Sequence, residues 1–118
     1  MIQWPEDVKV YLHREPVDFR KAINGLSVIV QDEMALSPFS RALFVFCNKK
    51  RNQLKVLYWD ETGFALWQKR LERDKFKWPR RWPEDPVMLD HEQWRWLLRG
   101  FDIAQLKPHK TLFYRDVC

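Results

Sequence analysis

The chain has 118 residues, 21 Lys and Arg against 16 Asp and Glu, and 46% hydrophobic residues, so it suits one domain over 1–118 with its own core and is not a disordered chain. Three glycines and no internal repeat exclude collagen-like and solenoid architectures, and no apolar run reaches the roughly 18–20 residues that span a bilayer. The start, Met1-Ile2-Gln3-Trp4-Pro5-Glu6-Asp7, is acidic and does not read as a signal peptide, and Cys47 and Cys118 are too few and too far apart for a disulfide framework, so a cytoplasmic protein with reduced thiols is expected.

Val8 to Leu12 is rich in β-formers, lies between Pro5 and Pro16, and reads as a strand. Asp18 then stands as a cap for a helix over about 18–31, whose apolar positions Phe19, Ile23, Leu26 and Val30 share one face. Gly25 falls inside this helix, where it either allows close packing or marks a break. Leu43 to Cys47 and Gln53 to Trp59 are β runs around the polar turn Asn48-Lys49-Lys50-Arg51-Asn52, which makes a hairpin. The second run sets Leu54, Val56 and Tyr58 on one face and Lys55, Leu57 and Trp59 on the other. Asp60 to Gly63 forms another turn, with Gly63 free to take a positive φ, and Phe64 to Gln68 returns as a third strand. Lys75-Phe76-Lys77-Trp78 alternates again and reads as a fourth.

Pro79, Pro83 and Pro86 exclude a regular element over 79–86. Asp90 with Gln93 makes a capping box for a helix over about 90–99, with Leu89 and Trp94 as its staple and Gly100 as its C-terminal stop. Trp94, Leu97, Leu98 and Phe101 should share its buried face. Residues 102–118 read as a loose tail. The expected fold is α+β: an antiparallel meander of four to five strands over about 43–78, an edge strand near 8–12, and two helices covering one face.

Groups that carry chemistry are sparse. His91-Glu92 begins like a zinc-protease motif, but the residue four beyond His91 is Arg95, and no close pair of cysteines suggests a zinc site. Glycine-rich phosphate loops and a nucleophile elbow are absent from the sequence. Asp60 and Glu61 form one adjacent carboxylate pair and read as ordinary turn residues. No enzyme activity, metal or cofactor is expected.

Charge is the stronger signal. Residues 41–81 hold twelve basic and four acidic side chains, net +8, between flanks of net −2 over 1–40 and net −1 over 82–118. Such a segment suggests a polyanion site, and nucleic acid is the natural candidate. The candidate phosphate-binding residues are Lys49, Lys50 and Arg51 at the hairpin turn, with Lys69, Arg70, Arg73, Lys75, Lys77, Arg80 and Arg81. Trp78 and Trp82 lie beside these cations as candidate stacking platforms. The chain has seven tryptophans, and Trp82 and Trp96, one among prolines and one off the apolar stripe, are candidates for a protein contact.

Phe44-Val45-Phe46, a basic turn, Lys55-Val56-Leu57-Tyr58-Trp59-Asp60, Gly63, Lys69-Arg70-Leu71-Glu72 and Phe76-Lys77-Trp78-Pro79 follow in order. Upstream stand Asp18-Phe19-Arg20-Lys21 and Gly25-Leu26. Over about residues 8–101 this order resembles the small TnpB-type accessory proteins of the insertion-sequence sixty-six family, which share only a name with the RNA-guided nucleases also called TnpB. The resemblance implies a protein that assists transposition beside a separate, larger transposase. Residues 102–118 extend past the matching region. Two roles fit: a non-catalytic DNA-binding factor, or an adaptor that docks the transposase or another element-encoded protein without binding DNA. No membrane partner is expected.

Overall fold

A computed structural model describes residues 4, 5 and 7–103. Its elements are β1 (Lys9–Leu12), α1 (Ile23–Asp32), β2 (Ala42–Cys47), β3 (Gln53–Asp60), β4 (Gly63–Arg70), β5 (Val87–Leu89) and α2 (His91–Leu98). The strands form one open sheet in the order β4-β3-β2-β1-β5. The fold is α+β, as expected. β2, β3 and β4 are the antiparallel meander, with Cys47 opposite Leu54 and Asp60 opposite Gly63.

The expected edge strand near 8–12 is instead interior. β1 lies parallel to β2, with Leu12 opposite Val45, and antiparallel to β5, with Val10 opposite Leu89. A parallel neighbour needs a long crossover, and residues 13–41, including α1, supply it. The edge beyond β1 is β5. Its three residues, between Pro86 and Asp90, are too short for their alternation to stand out in the sequence.

The helices cover opposite faces rather than one. β2 explains this, because all six of its residues are buried. Leu43, Val45 and Cys47 join Trp94, Leu97 and Leu98 of α2 in one core cluster. Phe44 and Phe46 join Leu26, Ile29 and Val30 of α1 in the other. A central strand apolar on both sides needs cover on both sides.

Three local expectations are corrected. Asp18 does not cap α1; its carboxylate binds Arg20, the chain turns through Lys21 N–H to Asp18 C=O at 3.0 Å, and the helix starts at Ile23 after Ala22. Phe19 therefore lies outside the helix and packs on its core cluster from the loop. Residues 75–78 form no strand, yet the alternation holds: Phe76 and Trp78 are buried while Lys75 and Lys77 are exposed. At the β3–β4 turn the positive φ falls on Glu61, at 52°, and not on Gly63.

α2 starts at the expected capping box, with Gln93 N–H on Asp90 Oδ1 at 2.8 Å and Asp90 N–H on Gln93 Oε1 at 3.0 Å. Its end is a Schellman turn: Gly100 takes φ +89°, Phe101 N–H reaches Trp96 C=O, and Gly100 N–H reaches Leu97 C=O. This reversal leaves Phe101 exposed and lets Ile103 enter the core instead.

Candidate nucleic-acid interface

The strand register assigns the basic residues to one end of the sheet. Cys47–Leu54 is the last β2–β3 pair, Gln53–Arg70 the last β3–β4 pair, and Leu12–Val45 the last β1–β2 pair, all at this end. Here the turn 48–52 is braced by Asn48, whose side-chain oxygen accepts from the backbone N–H groups of Asn52 and Gln53, both at 3.0 Å. Lys49 and Lys50 project from it, exposed. The segment after β4 hangs on the same turn, through Leu71 N–H to Asn52 C=O and Phe76 N–H to Arg51 C=O, each 2.7 Å. Burial of Phe76 and Trp78 then sends Lys75 and Lys77 outward together.

Three concavities mark this end. One of about 970 Å³ is lined by Lys69, Arg73, Lys75, Lys77 and Arg99, with Asp74 as its acidic member. Lys69 Nζ donates to Leu98 C=O at 3.2 Å, which draws β4 and the end of α2 together. Arg73, Lys75, Lys77 and Arg99 have no carboxylate within ion-pair distance among the described residues. Arg99, the C-cap of α2, was not among the sequence candidates; its one local signal is its place beside the stop Gly100, which says nothing of β4.

A second concavity, of about 570 Å³, holds Arg51, Arg80 and Arg81 beside Glu15 and Asp102. Arg80 lies 3.9 Å from Glu15. Its rim is an arch over 78–82: the Trp78 indole N–H donates to Arg14 C=O, and the Arg14 guanidinium donates to Trp82 C=O, both at 2.9 Å. The third, of about 1040 Å³, holds Lys49, Lys50, Arg20 and Lys55. There Arg20 is committed to Asp18 at 2.6 Å, and this pairing pulls the Asp18 carboxyl down to about 2. Asp18 therefore stays an anion near neutral pH and offsets Arg20. Arg70 is likewise paired, with Glu72 at 3.1 Å. The sequence-predicted cations share an end of the sheet, but they are divided among concavities of unequal free charge.

The tryptophans are placed differently from the sequence reading. Trp78 is 7% exposed and its ring is internal, so it is no open stacking platform. Trp82 and Trp96 are half-buried and pack against the core cluster of α2. An aromatic cluster lies at the other end of the sheet, where Phe39, Trp59 and Phe64 meet with ring centroids 5.0–5.3 Å apart. Phe39 is 59% exposed.

The remaining reactive side chains serve the fold. His13 Nδ1 lies 2.7 Å from Glu15 C=O and its Nε2 3.0 Å from Glu33 Oε1, and His91 Nε2 lies 3.0 Å from Val8 C=O. Cys47 is buried, and burial raises its thiol to about 12. Among the described residues, no three His, Cys, Asp or Glu side chains gather as metal ligands do, and no helix is long and apolar enough to cross a membrane.

Residues 8–108 match the family described as IS66 Orf2-like protein, a match that continues past residue 101. Two proteins of Sinorhizobium fredii (strain NBRC 101917 / NGR234) are similar over nearly their whole length. The uncharacterized protein y4jC is 31% identical over 107 residues, covering 91% of each chain. The uncharacterized protein y4hO is 31% identical over 102 residues, covering 86% of this chain and 88% of its own. No solved structure matches. The match runs from β1 through α2 and so takes in the whole sheet and both helices, and the chain belongs to the IS66 Orf2-like family of insertion-sequence proteins.

Proposed function

We propose that this insertion-sequence protein is a non-catalytic accessory factor of transposition that binds DNA through the basic end of its sheet. The observation that carries this reading is the 970 Å³ concavity, where five cations from β4, the segment after it and the end of α2 converge. None of the five has a carboxylate within ion-pair distance among the described residues, and the four other than Lys69, which donates to Leu98 C=O, are available to phosphates. No aromatic side chain lines this concavity, so the contact is with the backbone and does not depend on stacked bases. Duplex DNA should therefore bind at least as well as a single strand.

The test is a salt series with fluorescent duplex and single-stranded DNA. With about six phosphates neutralised, duplex affinity falls about a thousandfold between 50 and 200 mM salt. Replacing Arg73, Lys75, Lys77 and Arg99 together by Ala should weaken binding to all sequences alike and flatten the salt slope. A folded variant that binds as the parent does would sink the reading. Incubation with magnesium or manganese should leave the DNA intact; cleavage lost on Asp60→Ala would overturn the non-catalytic part. A second reading, an adaptor for the transposase or another element-encoded protein, rests on the exposed ring of Phe39 beside Trp59 and Phe64.

A further inference from the structure

The sheet has two edges of different kinds. The β5 edge is three residues long and closed by Pro86 on one side and Asp90 on the other. That is a protected edge, too short to template another strand. The β4 edge is eight residues long and contains no proline. Phe64, Ala65, Leu66 and Trp67 along it are only half-buried. Among the described residues no strand pairs with its outer side, which leaves a row of backbone N–H and C=O groups open.

We propose that a second copy of this chain adds to β4, antiparallel, so that the two five-stranded sheets run on as one. Charge order along the strand selects this occupant. β4 begins beside Asp60 and Glu61 and ends at Lys69 and Arg70; Arg70 is paired with Glu72, but with Arg73 the stretch 69–73 has three basic residues against one acidic and stays net positive. Antiparallel pairing about Leu66 and Trp67 sets the basic end of each strand against the acidic turn of the other, twice by symmetry. Parallel pairing would set like charges together. The same geometry turns the two basic ends of the sheets away from each other, so the net charge of +5 on each copy does not oppose the contact at close range. Aromatic rings stand on both faces of the edge: Trp67 against Trp4 at 5.8 Å on one, Phe64 against Trp59 at 5.0 Å on the other. They give the pairing apolar contact beyond its hydrogen bonds.

The experiment is sedimentation equilibrium of the full chain across a dilution series. The expected mass is twice 14.5 kDa at the concentrated end, falling toward 14.5 kDa on dilution. Leu66→Lys, in the middle of the edge, should leave the monomer mass with an unchanged circular dichroism spectrum. Because that variant tests packing and not charge, a swap is measured beside it. Reversing the acidic turn (Asp60→Lys with Glu61→Lys) and reversing the basic end (Lys69→Glu with Arg70→Glu) should each weaken the dimer roughly tenfold, through two symmetry-related contacts, and the double variant that carries both reversals should recover it. A monomer at every concentration overturns the proposal. So does a dimer indifferent to Leu66→Lys, or a double variant no stronger than either reversal alone. A monomer whose β4 amides are all slow to exchange would assign the edge to this chain's own residues, and also overturns it.

Discussion

Lys55 and Phe19 are joined on the α1 face of the sheet: the buried Lys55 ammonium donates to Phe19 C=O at 2.8 Å, and also to Lys21 C=O at 2.9 Å. The ammonium sits 4.9 Å above the centre of the Phe19 ring as well. One β3 side chain thus holds the turn that starts the crossover to α1, and joins two motifs far apart in the sequence. Burial lowers the Lys55 pKa, yet two carbonyls and a ring offset the desolvation of its charge. Lys55→Met keeps the aliphatic stem and strands both carbonyls. It should cost about 2–3 kcal/mol, read as a lower urea midpoint with an unchanged m-value.

That bond shows where sequence reasoning stops. The alternation of β3 put Lys55 on the face of Leu57 correctly, but nothing local distinguishes a lysine that snorkels to water from one that meets two carbonyls 34 and 36 residues away. Local signals were otherwise legible: the hairpin about Asn48–Asn52, the capping box of α2, and the inward Phe76 and Trp78. What was not legible depends on distant partners. β1 is interior because β5 pairs with it. Arg99 joins the basic concavity because Lys69 ties β4 to the end of α2. The segment 75–78 carries a strand's alternation, but it is held by the turn and by Arg14 and not by a neighbouring strand.

Arg14 should influence DNA binding without being a phosphate contact. Its guanidinium donates to Trp82 C=O and lies 3.8 Å from Asp85, and its own carbonyl accepts from Trp78. Arg14→Met removes the first two and leaves Trp82 C=O without this donor. The arch that carries Arg80 and Arg81 then loosens. Affinity for duplex DNA should fall severalfold with unchanged far-UV circular dichroism, and the salt slope should shrink by less than in the variant lacking Arg73, Lys75, Lys77 and Arg99. A parent-like affinity with intact fold would show that the arch plays no part.

Asp90 closes the capping box of α2 and lies just after β5, so its loss affects both elements. Asp90→Ala removes the acceptor for Gln93 N–H and should cost about 1 kcal/mol. Because Leu97 and Leu98 of α2 fill the core against β2, the loss should appear in global unfolding as a lower Tm, by about 3–5 °C. Asp90→Ser keeps a cap and should recover most of it.

Cys47 predicts how stability changes at alkaline pH. Its thiol is fully buried in β2, and burial raises it from 9.0 to about 12. Above pH 9 the unfolded thiol loses its proton while the folded one keeps it, so the unfolded state binds fewer protons and stability falls as pH rises. The contribution is intact below pH 9 and is lost progressively toward about 12, at about 1.4 kcal/mol per pH unit. Lys55 acts in the opposite sense, since its lowered pKa makes stability rise with pH below 10.5. Comparison with Cys47→Ala at each pH cancels that term. The variant starts less stable near neutrality, from the small cavity, and the gap should narrow or reverse above pH 9. The matching chemical test is alkylation with iodoacetamide followed by peptide mass analysis. The peptide containing Cys47 should stay unmodified until urea unfolds the chain, and labelling of Cys47 in the native protein would contradict the burial on which the pH argument rests.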